Sequence, residues 1–227
     1  MPASDMLVDL ASRGRYHFTT QEAMEHLGSS PVATRAALRR LRKKGALATP
    51  LRGFHLIVPP EYRSLGCFPG DQFIPQIMEH LGLDYYVCLL SAARYHGAAH
   101  QQPQIFQVMV ERNRPSIECG GVRVSFVARH NVGEIPTVTL NTPRGTIDIS
   151  SPEATAIDLV GYHRHVGGLE RVAAILGELS EVMDGETLAS VAQLSPLPWS
   201  QRLGHLLERV GEAEKARPLA GYIERVA

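Results

Sequence analysis

Apolar positions recur along this chain with two periods, and the changes between them predict its elements. Over residues 2–12, Met6, Leu7 and Leu10 stand at helical spacing and predict a first helix. Thr19 followed by Glu22 forms a capping box, and Ala23, Met24 and Leu27 give a second apolar stripe that Gly28 interrupts. Ser30 suits an N-cap, Pro31 the first helical position and Gly45 a left-handed stop, which bounds a third helix over 31–44. Thr34, Ala37, Leu38 and Leu41 share its packed face. Two short strands then flank the turn from Pro50 to Gly53.

After Pro59-Pro60 the helical period returns over 71–81, where Phe73, Ile74, Ile77, Met78 and Leu81 form a wide stripe despite Pro75. The run from Tyr85 to Gly97 reads as a buried helix from about Val87, with Tyr85–Leu90 alone also readable as a strand. The period then shortens, and residues 105–110, 122–128, 137–140 and 146–149 predict four strands of a small, mainly antiparallel sheet. Ser150 with Glu153 reads as another capping box launching a helix over 152–162. Further helices are predicted over 169–179, 186–194, 199–210 and 215–226. The fold class expected is α+β: an N-terminal winged helix-turn-helix over residues 1–60, a connector over 61–70, and a mixed α/β domain over 71–227 whose antiparallel sheet precedes a C-terminal helical bundle.

Composition is that of a globular chain, with 44% hydrophobic residues in 227. No apolar run reaches the roughly 18 residues of a membrane span and the amino terminus lacks the pattern of a secretory signal, so a cytoplasmic location is the expectation. The formal net charge is +0, but the charges are unevenly spread. Residues 1–60 hold 9 basic and 4 acidic side chains, leaving 14 and 19 of the 23 of each sign for the remainder. The front is therefore cationic and the rest anionic, as expected for parts with different partners.

The positive charge concentrates further. No Asp or Glu occurs between Glu25 and Glu61, while Arg35, Arg39, Arg40, Arg42, Lys43, Lys44 and Arg52 all do. A helix, a short turn and a basic helix make a helix-turn-helix, and the following hairpin is a candidate wing with Arg52 at its tip. With the third helix in a major groove, Pro31, Val32, Arg35 and Ala36 are expected near base edges and Arg39, Lys43 and Arg52 toward phosphates, with Arg42 also counted among the DNA-binding residues. Arg35 is the candidate for a bidentate contact to guanine. A winged helix that binds protein instead is the competing reading.

Other chemistry finds little support. Cys67, Cys88 and Cys119 form no C-x-x-C pair and read as buried free thiols. His96 and His100 stand four apart, a metal-binding spacing, but Gly97 interrupts them and a packing or capping role is expected. His163 and His165 suit the carbonyl end of a helix. Ser91 lies outside any G-x-S-x-G elbow, and no G-x-x-x-x-G-K loop is present. Asp148, Glu153 and Asp158 can be drawn as a nuclease carboxylate cluster, but no Glu-x-Lys follows the strand ending at Ile149. No enzyme, cofactor or metal is expected.

Three stretches together resemble the AbiEi family: the winged helix ending in Arg-Gly-Phe-His-Leu (52–56), Tyr-Tyr-Val-Cys-Leu-Leu-Ser-Ala-Ala-Arg-Tyr-His-Gly (85–97), and Ser-Ser-Pro-Glu-Ala-Thr-Ala-Ile-Asp-Leu-Val (150–160). The resemblance implies the antitoxin and transcriptional repressor of a type IV toxin-antitoxin operon. Such a protein binds double-stranded DNA at promoter repeats through Arg35, Arg39, Lys43 and Arg52, as a homodimer or as monomers binding cooperatively. It also implies a nucleotidyltransferase-like toxin that the second domain counters. No membrane partner is expected. The alternative is a winged-helix regulator whose second domain senses a ligand.

Overall fold

The computed structural model describes residues 2–98 and 103–226. Contacts divide the chain into two compact units: the residues up to Leu83 with Pro115–Ser125 and Asn141–Ile147, and Asp84–Arg114 with Phe126–Leu140 and the residues from Asp148 on.

In the first unit, helix α1 (Ala3–Ser12) buries Met6, Leu7 and Leu10, as their spacing predicts. Strand β1 (His17–Thr19) leads into α2 (Thr20–Leu27), whose capping box forms: Thr19 Oγ1 accepts from the Glu22 N–H at 3.2 Å, and the Glu22 carboxylate accepts from the Thr19 N–H at 2.6 Å. Only Ala23 of the expected α2 stripe is fully buried, and Met24 and Leu27 are half-buried because a helix of about two turns covers little of the core. Helix α3 (Pro31–Lys43) buries Thr34 and Leu38, with Ala37 and Leu41 half-buried beside them. The predicted hairpin is β2 (Leu47–Leu51) and β3 (Phe54–Ile57). Strand β1, absent from the sequence reading, pairs antiparallel with the other side of β3 and completes a sheet of order β1-β3-β2. Its core joins Met6, Leu10, Phe18, Ala23, Leu38, Leu47 and Ile57. The architecture is a winged helix.

The stretch expected to connect the domains holds a 3₁₀ turn at Pro60–Tyr62 and buries Cys67 and Phe68. Helix α4 (Ile74–Leu81) begins late enough that Pro75 falls in its first turn, where the missing N–H breaks no helical bond. Ile74, Ile77 and Met78 are fully buried. The Arg144 guanidinium stands 4.4 Å from the ring centre of Tyr16, 4.6 Å from that of Phe68 and 5.6 Å from that of Tyr62, and donates to Gln72 Oε1. Three aromatic faces thus enclose one cation.

The second sheet has six strands in the order β6-β7-β5-β4-β9-β8. They are β4 (Tyr85–Val87), β5 (Phe106–Val110), β6 (Ile117–Cys119), β7 (Val122–Ala128), β8 (Thr137–Thr142) and β9 (Gly145–Ser150). Four strands were expected. Of the additional two, β4 lies in the stretch also readable as a strand, and β6 is three residues long, too short to show a period. Strand β4 pairs antiparallel with β5 but parallel with β9, through Val87 and Ile149. The strand-or-helix alternative at Tyr85–Leu90 resolves as both: β4 passes into α5 (Leu89–Tyr95) at a sharp corner where Leu89 takes φ 52°.

Helices α6 (Pro152–Gly161), α7 (Leu169–Leu179), α8 (Gly185–Ala192), α9 (Leu197–Arg209) and α10 (Ala213–Val226) follow, close to their predicted bounds. The α6 cap is one residue later than expected. Ser151 Oγ accepts from the Ala154 N–H at 3.2 Å, because Pro152 at the first helical position makes its predecessor the N-cap. Ser150 remains in β9, and Glu153 accepts instead from Ser151 Oγ and the Asp184 N–H.

One large core gathers Tyr86, Leu89, Met109, Ile157, Leu159, Leu176, Leu188, Leu203 and Leu219. At its heart Asp158, fully buried, accepts from Arg129 and from the Tyr86 hydroxyl at 2.9 Å. Arg129 also donates to Asn131 Oδ1, the Leu194 carbonyl and Ser195 Oγ, so both charges are satisfied. Burial raises the Asp158 carboxyl to about 6, outweighing Arg129 and the Tyr86 hydroxyl, which lower it. Among the described residues, no helix is long and apolar enough to cross a membrane.

Candidate nucleic-acid interface

Helix α3 is fixed at both ends. Ser30 Oγ accepts from the Ala33 N–H at 3.3 Å, the Ser29 and Thr34 hydroxyls bond at 2.7 Å, and Gly45 leaves the helix at φ 70°. The wing is tied to the helix-turn-helix as well. The Thr20 N–H donates to the Gly53 carbonyl at 2.8 Å.

Along this frame Pro31, Val32, Arg35, Arg39, Arg42, Lys43 and Arg52 are exposed, Val32 at 75%, and Ala36 is half-buried. Arg35, Arg39 and Arg42 recur at i, i+4 and i+7, and the fold brings them together along one cleft of about 240 Å³ with Thr20, Thr49 and His55. The remaining expected residues do not line it. Pro31, Val32 and Ala36 occupy the first two turns of α3, Lys43 its last residue, and Arg52 the turn between β2 and β3.

His55 is buried beneath the cleft, with Nε2 2.8 Å from Thr20 Oγ1 and Nδ1 3.1 Å from Thr49 Oγ1. Burial, and then the nearby Arg42 guanidinium, lower its pKa, so the neutral ring donates through one nitrogen and accepts through the other. Sequence reasoning missed these three residues. The motif at 52–56 contains His55, but its hydroxyl partners lie 35 and 6 positions away and no local signal joins them.

Among the described residues, Arg35, Arg39 and Arg42 form no ion pair, whereas Arg13, Arg15, Arg129, Arg144, Arg209 and Arg217 each meet a carboxylate. This face of α3 is therefore a bare cationic surface. Lys43 and Arg52 extend it with no acidic side chain paired to them among those residues.

The carboxylates considered for nuclease chemistry do different work. Asp158 lies under Arg129, Asp148 accepts from Thr139 Oγ1 at 2.6 Å, and Glu153 holds the Asp184 N–H at 3.0 Å. His96 Nε2 lies 2.7 Å from the Ser150 carbonyl, and His100 lies outside the described residues. His163 Nδ1 lies 3.0 Å from the Val160 carbonyl, the helix-end contact its position suggested. Ser91 Oγ accepts from the Gln107 N–H at 2.9 Å inside the core. The described residues contain no group of three or more His, Cys, Asp or Glu side chains able to hold a metal, and the three cysteines are free and buried.

No match is found among curated proteins. The solved structure of the RV2827C protein from Mycobacterium tuberculosis superposes with a TM-score of 0.71 at 20% identity, covering 97% of this chain and 80% of that one, and so shares the fold. An antigenic nucleotidyltransferase-like protein from Paracoccidioides brasiliensis superposes at a TM-score of 0.39 and 12% identity, over 68% of this chain and 90% of its own. Residues 5–57 match the family model described as a transcriptional regulator, AbiEi antitoxin. Residues 85–209, more than half of the chain, match that of the AbiEi antitoxin C-terminal domain. The protein that carries this winged helix and this buried Arg129–Asp158 core belongs to the AbiEi antitoxin family.

Proposed function

We propose that the protein is a cytoplasmic, DNA-binding autorepressor and the antitoxin of a type IV toxin-antitoxin operon. The observation that carries this reading is the uncompensated row Arg35, Arg39 and Arg42 on an exposed, capped helix beside a wing. The winged helix of residues 1–60 binds DNA, and the chain that follows the 61–70 stretch counters a nucleotidyltransferase-like toxin. Helix α3 enters the major groove. Arg35 reads guanine, with Pro31, Val32 and Ala36 near base edges, while Arg39, Arg42, Lys43 and Arg52 hold phosphates. Bound at promoter repeats, as a homodimer or as cooperating monomers, the protein occludes polymerase. The role needs no cofactor and no catalysis.

Titration of the upstream DNA of its own operon tests this. Arg35→Ala weakens binding by about 1–3 kcal/mol and relaxes sequence preference, whereas Lys43→Ala weakens all sequences alike and lowers the salt slope by about 1. Unchanged binding by both variants rejects the assignment. Survival of cells expressing the neighbouring nucleotidyltransferase-like gene, with and without this protein, tests the antitoxin half.

A further inference from the structure

We infer that the cleft between α3 and the wing is a site for a single phosphoryl oxyanion, held by Arg39 and Arg42 with Thr20 and Thr49 on its floor; the inference deepens the DNA-binding reading and rests on it for the backbone as one source of that anion.

The first argument is electrostatic. Three guanidinium groups line one concavity, none of them paired with a carboxylate among the described residues. Like charges gathered this way repel, and a bound anion relieves the repulsion. The guanidinium fork also matches the paired oxygens of a phosphate.

The second argument comes from the floor. A neutral imidazole has one donor and one acceptor nitrogen. His55 meets a threonine hydroxyl at each. The hydroxyl that accepts from the ring keeps its own hydrogen, so one O–H of the pair remains for a further acceptor, and the pair brings no negative group. The space, about 240 Å³, admits a phosphoryl group with part of its hydration.

Shared chemistry leaves two sources, a phosphodiester of the duplex and a free phosphate compound. Full-length protein is titrated with inorganic pyrophosphate at constant ionic strength, and with duplexes in which single phosphates are replaced by neutral methylphosphonates. Wild type binds pyrophosphate and releases DNA in proportion, beyond the effect of matched chloride. Arg42→Gln and Thr49→Val each weaken pyrophosphate binding, the first on the order of tenfold.

If the duplex backbone is the source, one methylphosphonate position weakens wild type and leaves Arg42→Gln unaffected, a coupled pair. If no position couples while pyrophosphate still binds through Arg42, the cleft serves the free anion. Pyrophosphate acting only as ionic strength, with both variants silent toward pyrophosphate and DNA, overturns the site. In that case a DNA defect in Lys43→Ala leaves the DNA-binding reading intact. Pyrophosphate binding without promoter binding does the reverse.

Discussion

The indole of Trp199 occupies the space that a side chain at Gly161 needs: a Cβ on Gly161 stands 2.4 Å from the ring carbons Cε3 and Cζ3. Glycine at the end of α6 therefore lets α9 approach closely, at the cost of a weak helix former. Trp199 in turn packs edge-on to Tyr162 at 5.1 Å between ring centres and lies 5.8 Å from the Arg129 guanidinium.

Gly161→Ala gains about 1 kcal/mol of helix propensity and loses about 1–3 kcal/mol to overpacking. The net expectation is a less stable protein with altered indole emission. Urea unfolding followed by the chain's one tryptophan reads both. Equal or greater stability of the variant disproves the steric account.

Removing one partner of the Arg129–Asp158 pair strands the other charge in the core. Arg129→Met and Asp158→Leu each cost about 3–5 kcal/mol, and the double variant costs much less than their sum. Chemical denaturation of the three variants gives the coupling energy. Strict additivity rules out the pair as a unit.

The buried side chains of His55 and Asp158 respond to acid with opposite signs. His55 has a folded pKa below its unfolded value, so the unfolded chain takes up the proton first, and stability present above pH about 6.5 is lost as pH falls. His17, lowered by burial and then by Arg15, acts in the same direction. Asp158, raised from 3.8 to about 6, contributes stability that is full below its unfolded value and lost as pH rises through about 6. Amide exchange at β3 quickens between pH 7.5 and 5.5 beyond the intrinsic rate, and His55→Gln removes part of that excess. Trp199 fluorescence follows the Asp158 side. Parallel pH trends for the two probes contradict the assignment.

Arg144 holds three rings and Gln72 together. Arg144→Ala destabilises the first unit by about 1–3 kcal/mol. Arg144→Lys restores only part of this, since an ammonium lacks the planar stacking face. Full rescue by lysine shows that charge alone matters there.

Helix α3 was legible because its signals are local: a cap at Ser30, a proline at 31, a glycine at 45 and an apolar face at helical spacing. The same reading shifted the α6 cap to Ser150, although Pro152 already required Ser151 there. Strands β1 and β6 escaped because three residues carry no period; β1 is held by β3, distant in sequence, whereas β6 is the short arm of a hairpin with β7. At the interface, the arginine row followed from spacing alone. The cleft did not, since Thr20, Thr49 and His55 arrive from α2, β2 and β3 and meet only after the sheet has formed.

The aromatic enclosure of Arg144 has a genetic corollary. Tyr16 and Phe68 receive their cation from a turn encoded far downstream, as the winged-helix end also receives Pro115–Ser125. A crossover joining the first 83 codons to a foreign downstream half separates the rings from their arginine, so shuffling among homologues favours exchange of the whole reading frame over exchange of its front.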